Sequence, residues 1–311
     1  MKHLFIIIAA IAASLPTSLS AQQASQDAPQ RQNWSLHALY GDVARVTTKV
    51  YRQSVAHKLS LDSLSSWNDW RFNERGDVAL HASGNSKAEL TTQAVYTYNA
   101  AGRTESIDYY NIEQRRLHST RYTYNDKGQQ SESLSYLNDT LLLSRLLYSY
   151  DEQGRVVEEQ KYLAAGEFDS RRTFRYNDHG DKVEERTFDK WGERGERIEI
   201  EYDTQGRVVR KAIYLNSPSP ISREHYKYDE QGNLTELLTY DYDNSLWLRT
   251  HRSYDSQNRL CEQASYTAEG ALSTKMVLSY DEQGNIIRKE FYRMEQQRPT
   301  TRIEYEIFYR K

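Results

Sequence analysis

From residue 72 onward the chain alternates apolar and polar positions in short runs, each broken by a cluster of turn-forming residues. The segment Leu146-Leu-Tyr-Ser-Tyr-Asp-Glu-Gln-Gly-Arg-Val-Val-Glu-Glu-Gln-Lys-Tyr162 shows the unit. Two runs with period-2 patterning flank Asp151-Glu-Gln-Gly154, which predicts two strands joined by a tight turn. Asx at the first turn position can hydrogen-bond the backbone two residues on. Gly at the fourth supplies a left-handed backbone. The unit is therefore expected to be a β-hairpin.

The unit recurs every 26 residues, at Phe72, Tyr98, Tyr124, Tyr150, Tyr176, Tyr202, Tyr228, Tyr254 and Tyr280. Asn or Asp follows each aromatic at once, and Gly comes four residues after it, except at Asn258. Asn is the residue that best tolerates a left-handed backbone. A second aromatic follows each of the last eight after twelve residues: Tyr110, Tyr136, Tyr162, Phe188, Tyr214, Tyr240, Tyr266 and Tyr292. Nine copies in one phase define a repeat architecture in which each unit contacts its neighbours.

The turn sets a register. With Asp151 paired to Arg155, Tyr150 faces Val156, and the same rule pairs Tyr202 with Val208, Tyr228 with Leu234, Tyr254 with Leu260 and Tyr280 with Ile286. Even spacing along the pair then places Tyr148, Tyr150, Val156 and Tyr162 on one aromatic face. Ser149, Glu159 and Lys161 fall on an opposite, mostly charged face. Two strands per unit predict an all-β fold of about 18 strands. The expected form is one long antiparallel sheet, curved or spiralling, with the Tyr face inward.

Outside the register, the alternation from Val43 to Tyr51, with Trp67 and Trp70, predicts an N-terminal cap over residues 34–71 that shields a sheet edge. The repeats run over 72–300, the first imperfect, with Gly84 where later copies carry their second aromatic. Residues 301–311, with Thr301-Arg-Ile-Glu-Tyr-Glu-Ile-Phe-Tyr309, predict a closing edge strand.

Residues 1–21 read as a signal peptide: Lys2 and His3, an apolar run from Leu4 to Ala13, then small residues at Ser18, Ser20 and Ala21. Residues 22–33 read as a flexible polar leader. The chain is expected to be exported, to the periplasm, the cell surface or the medium. It is not expected to be a lipoprotein, because the single cysteine, Cys261, lies inside a repeat, which also excludes an internal disulfide. Without Lys2 the chain carries 40 basic and 44 acidic residues, a net charge of −4, with the signs interleaved. Nothing there recommends a nucleic-acid partner.

The pattern Tyr-x-Tyr-Asp-x-x-Gly-Arg/Asn, as in Tyr148-Ser-Tyr-Asp-Glu-Gln-Gly-Arg155 and Tyr226-Lys-Tyr-Asp-Glu-Gln-Gly-Asn233, resembles the YD repeat of the RHS family. The resemblance covers residues from about 70 to 300. It implies hairpins joined into a spiralling sheet, and an association with cell surfaces, carbohydrate binding or toxin enclosure. RHS toxins carry an Asp-Pro core segment before a toxin tip. No Asp-Pro occurs here, so the chain resembles a short exported member without a toxin domain.

No enzyme motif stands out. The eight histidines form no His-Glu-x-x-His and recur at no repeat position: His179 falls in a turn, and His118, His225 and His251 in strands. Gly-x-Ser-x-Gly, a Gly-rich phosphate loop and Cys-x-x-Cys are all absent. The turn acids Asp151, Asp203, Asp229, Asp255 and Asp281 suggest a calcium array. However, Asn73, Asn99, Asn125 and Asn177 hold the same position. A metal needs the charge and a turn needs only the side-chain oxygen, so the turn role is favoured. No catalytic residue, metal or cofactor is expected.

The loops between repeats differ from one another: Ala164 to Phe168, Lys190 to Arg194, Asn216 to Pro220, Asp243 to Trp247. Recognition tends to sit on such loops. Trp191 and Trp247 are the candidate ligand-binding residues, able to stack on a sugar ring or anchor a protein. The expected function is a non-catalytic exported scaffold that binds glycan or protein at the cell envelope. The alternative is a structural or accessory component of envelope or toxin assembly, contacting through its sheet edges.

Overall fold

The computed structural model describes residues 39–53, 63–138, 140–294 and 296–310. The expected signal peptide and leader lie outside them. The described residues form 20 strands and no helix. Strands β1 (Val43–Arg52) and β2 (Leu64–Phe72) open the fold, and β20 (Thr301–Tyr309) ends it. Between them run the repeat hairpins, among them β8 (Leu141–Tyr150) with β9 (Val156–Leu163), and β10 (Phe168–Tyr176) with β11 (Lys182–Asp189). Next come β12 (Arg194–Tyr202), β13 (Val208–Leu215), β14 (Ser222–Tyr228), β15 (Leu234–Tyr240) and β16 (Leu246–Tyr254).

Every consecutive pair of strands is antiparallel, as the hairpin reading requires. The sheet does not spiral. β1 pairs with β2 on one side and with β20 on the other, from Val43 opposite Tyr309 to Arg52 opposite Thr301. β20 also pairs with β19 (Ile286–Arg293). The expected curved or spiralling sheet is therefore corrected to a closed barrel. Residues 301–309 are flanked on both sides and form no edge, and β1 is itself a stave of the wall. Closure removes the two rows of unpaired backbone groups that an open 20-strand sheet would expose. Twenty strands at about 4.8 Å give a circumference of roughly 96 Å and a diameter of about 30 Å, ignoring tilt.

The predicted register holds at its anchors. Tyr150 faces Val156, Tyr202 faces Val208, Tyr228 faces Leu234, Tyr254 faces Leu260 and Tyr280 faces Ile286. Immediately beyond each anchor the register slips by one. In β8–β9, Ser149 faces Glu158 and Tyr148 faces Glu159, so Val156 and Val157 together oppose Tyr150. This bulge reverses the faces predicted for the rest of the strand. Tyr162 faces Arg145 and lies opposite to the Tyr148–Tyr150 face, whereas Glu159 shares it. The two aromatic series thus occupy different faces of the sheet.

On the first face, each repeat is tied to the one before by a tyrosine hydroxyl. Tyr98, Tyr124, Tyr150, Tyr176, Tyr202, Tyr228, Tyr254 and Tyr280 each donate to the backbone carbonyl twenty residues earlier, at 2.6–2.9 Å. Phe72 has no repeat before it and no hydroxyl. It packs instead with Val43, Val46 and Val78 in a buried cluster against Trp70, Tyr96 and Tyr305. On the second face, the second aromatic meets a cation from the adjacent strand. Arg171 lies 4.5 Å over the Phe188 ring and Arg197 3.8 Å over Tyr214. The first copy inverts this arrangement: Trp67 takes the cation's place opposite Gly84. A Cβ on Gly84 would lie 2.1 Å from the Trp67 indole nitrogen, so the strand has no room for its aromatic there.

Candidate functional site

The barrel has two ends that the sequence builds differently. One rim is made of the repeated Asx turns, and here the chemistry is absorbed by the backbone. Asp203 Oδ1 accepts from the N–H groups of Gln205 and Arg207, both at 2.9 Å, and Asn177 Oδ1 does the same for His179 and Asp181. Desolvation pushes the Asp151 carboxyl up, but hydrogen bonds from the backbone and guanidinium of Arg155 outweigh it and hold the group below the usual carboxylate range. Asp203 and Asp255 are held down in the same way, by Arg207 and Arg259. Among the described residues, no group of His, Cys, Asp and Glu is arranged to hold a metal ion.

The residue at the fourth place after the Asx pairs with it: an acid there follows Asn, in Asn73 with Asp77 and Asn177 with Asp181, while Arg follows Asp in three copies and Asn99 in one. Asn177 donates its amide to Asp181 at 3.0 Å, whereas Asp151 pairs with Arg155 and Asp229 accepts from the Asn233 amide. Opposite or neutral partners meet in each case. At this fourth place Arg103, Arg155, Arg207 and Arg259 each cover the tyrosine of the next repeat, at 5.7, 4.7, 4.7 and 4.5 Å from the ring centre. The turn acids are thus structural in geometry as well as in pattern.

The other rim is made of the loops between repeats. Of the seventeen exposed large apolar side chains among the described residues, only Tyr40, Ile287, Phe308 and Tyr309 sit at the Asx rim. The other thirteen sit at the loop rim, where Ile112, Leu141, Tyr242 and Met294 are among the most exposed. None of those four was singled out from the sequence. The available signal was an apolar residue at a loop tip, where the repeat itself calls for none.

Both predicted ligand-binding residues stand on the loop rim. Trp191 is 75% exposed on the turn between β11 and β12, with Lys190 Nζ 4.4 Å from its ring centre. Its backbone N–H donates to Asp189 Oδ1 at 2.9 Å, which fixes the turn beneath an open ring. Trp247 is 59% exposed near the start of β16. Four strand spacings separate the two turns, on the order of 19 Å along the wall. The structure does not gather the two indoles into one site.

A cavity of about 840 Å³ opens beside the Trp191 turn, between β11, β12 and the loop that follows β13. Arg186, Arg194, Gly195, Arg197 and Tyr214 line it, with Thr187, Glu193, Glu196 and the loop residues Asn216 to Pro218. Arg186, Arg197 and Tyr214 stand directly opposite one another on β11, β12 and β13 and so share the second face. Tyr214 is 8% exposed and donates its hydroxyl to Glu199 at 2.8 Å. Desolvation, aided by that carboxylate, pushes its pKa above the usual tyrosine value. Arg197 pairs with the same Glu199 at 3.0 Å and Arg186 with Glu184 at 2.7 Å. The arrangement can offer guanidinium donors and an adjacent exposed indole to a bound molecule.

No family model and no curated protein matches this chain. Solved structures with a similar course of chain include a TcdB2-TccC3-TEV crystal structure, at 12% identity and a TM-score of 0.38 over 76% of this chain. This chain spans 16% of that one. A porin-like protein from Bacteroides uniformis is similar over 87% of this chain and 99% of its own, at 11% identity and a TM-score of 0.40.

Proposed function

We propose that the chain is a non-catalytic, exported YD-type repeat scaffold that binds glycan or protein at the cell envelope through its loop rim. The observation that carries this reading is the division of labour between the two ends. The repeated Asx, Gly and Tyr residues are consumed by turns and inter-repeat hydrogen bonds, while the variable loops hold Trp191 and Trp247 open to solvent. An exposed indole on a rigid scaffold offers a large apolar surface at little cost in conformational entropy.

Charges on both faces favour a barrel that stands in water. The first face carries Glu159, Arg172 and Glu185, with Arg172 bridging the two acids at 2.9 and 2.5 Å. The second face carries Glu158 and Arg171, paired at 3.6 Å, and Arg145 with Glu132. A wall set in lipid needs an unbroken apolar band on its outer face.

Assembly through free strand edges is the weaker reading, because β1 and β20 occupy each other's edges. The test is a glycan array probed with the purified chain and with Trp191→Ala and Trp247→Ala variants. Saturable binding lost in either variant, with the circular dichroism unchanged, supports the reading. Absence of any glycan binding moves the loop rim to a protein partner.

A further inference from the structure

We infer that the cavity beside Trp191 binds the acidic group of a charged saccharide, with Arg186, Arg194 and Arg197 as its donors. This rests on the glycan reading above and names the chemical class of its ligand. The argument comes from two departures from the repeat that meet at one place.

The first is a pair of like charges. In the repeat, the residue nine after the turn Asx faces a fixed position on the next strand. Leu134 faces Arg145, Gln160 faces Arg171, Ala212 faces Arg223, Leu238 faces Arg249, and Ala264 faces Lys275. In these five a cation meets a neutral side chain; in the first two copies Ala82 faces Gln93 and Asp108 faces Ser119, and in the last Glu290 meets Arg302. Arg186 facing Arg197 is the exception. Like charges directly opposite destabilise a sheet, and here Glu184 faces Glu199 two residues away on the same strands and offsets the pair. One bond from each guanidinium goes to a glutamate on its own strand. The Nε of Arg186 remains buried with no partner. Among the described residues, no carboxylate lies within ion-pair distance of the exposed Arg194.

The second departure is a side chain missing from the cavity wall. Eight residues before the turn Asx, other copies carry Leu117, Leu143, Asp169, Ile221, Trp247 or Ser273. This copy carries Gly195, and a Cβ there would lie 2.5 Å from Thr187 Oγ1. Thr187 fills the place of that side chain, and Thr187, Gly195 and Arg197 all line the cavity. Three guanidinium groups converging on a cavity suit a carboxylate or sulfate, which can accept paired N–H bonds. Glu193 and Glu196 also line the cavity and suit sugar hydroxyls as acceptors, and they argue against a bare polyanion. Trp191 lies outside the cavity lining; two residues before Glu193, its exposed ring is the aromatic surface this turn offers to a pyranose.

The test is calorimetric titration of the purified chain with a uronic-acid trisaccharide, a sulfated trisaccharide, the matching neutral trisaccharide and inorganic sulfate. An acidic trisaccharide is expected to bind at least about tenfold more tightly than the neutral one, with the carboxylated and sulfated forms identifying the group preferred. Arg186→Leu, which restores the arrangement of Leu134 and Leu238, is expected to abolish that preference while leaving the melting temperature unchanged or higher. Arg194→Gln, at an exposed position, is expected to weaken acidic-sugar binding without touching the fold. Equal binding of acidic and neutral sugars, or full binding in both variants, overturns the inference and leaves the glycan reading standing. No binding of any saccharide overturns both.

Discussion

The hydroxyl of Tyr176 donates to the carbonyl of Val156 at 2.7 Å, and Val156 is the residue that faces Tyr150 in the preceding hairpin. Each repeat therefore binds the previous one at the point where that hairpin bulges and its ladder is disturbed. Tyr176→Phe removes one such bond and leaves a half-buried carbonyl without its donor, at a cost of about 1 kcal/mol. Urea unfolding of this variant and of Tyr228→Phe should give similar losses. Phe72→Tyr should give no gain, because no repeat precedes it.

Burial pushes the hydroxyls of Tyr124, Tyr202 and Tyr280 up to about 12. In the unfolded chain they ionise near 10, so between these values the native state holds more protons. Stability is then fully present below about pH 10 and is lost as pH rises toward 12. Tyrosinate absorbance and circular dichroism should change together above pH 10. A gradual tyrosinate signal at 10 with the fold intact would contradict the buried ladder.

Asn177→Asp sets a carboxylate against Asp181, whose Oδ2 now accepts from the Asn177 amide. The turn oxygen is kept and the repulsion is new, so a loss of about 0.5–1 kcal/mol is expected at pH 7 and little at pH 3. Asp151→Asn keeps Oδ1 for the Arg155 N–H and loses only the ion pair with its guanidinium. Asp151→Ala loses both and should cost more. Thermal melts of the three variants at both pH values decide the point.

The barrel is held closed at the Asx rim by Arg310, which pairs with Asp42 and donates to the carbonyls of Phe72 and Asn73, and by Asn285, which bonds Tyr40 and Tyr309. Deleting β1 frees the edges of β2 and β20 together. The remaining sheet should associate edge to edge, visible as oligomers in analytical ultracentrifugation. A monomer of unchanged shape would mean that the wall does not depend on β1.

The hairpins were legible because Asx and Gly at fixed spacing act locally, within the four or five residues that close each turn. The faces were not, since a bulge that sets Val156 and Val157 against Tyr150 leaves no mark in an even-and-odd count. Closure was also hidden. Pairs such as Thr48 with Tyr305 join segments outside the repeat pattern, and their partnership depends on the whole intervening wall. The exposure of Trp191 and Trp247 followed from their loops. Arg186 was missed although it is the one cation in the column Ala82, Asp108, Leu134, Gln160, Arg186, Ala212, Leu238, Ala264, Glu290.

Closure between the first and last strands has a consequence for how such a chain can vary. Gain or loss of one 26-residue unit changes the wall by two staves, so the closing partners always meet in opposite directions. A duplication in the gene would widen the ring by about 3 Å without redrawing the seam, because two strands add roughly 10 Å of circumference. The girth of the molecule is thereby a heritable quantity with discrete steps, while the seam stays fixed at β1 and β20.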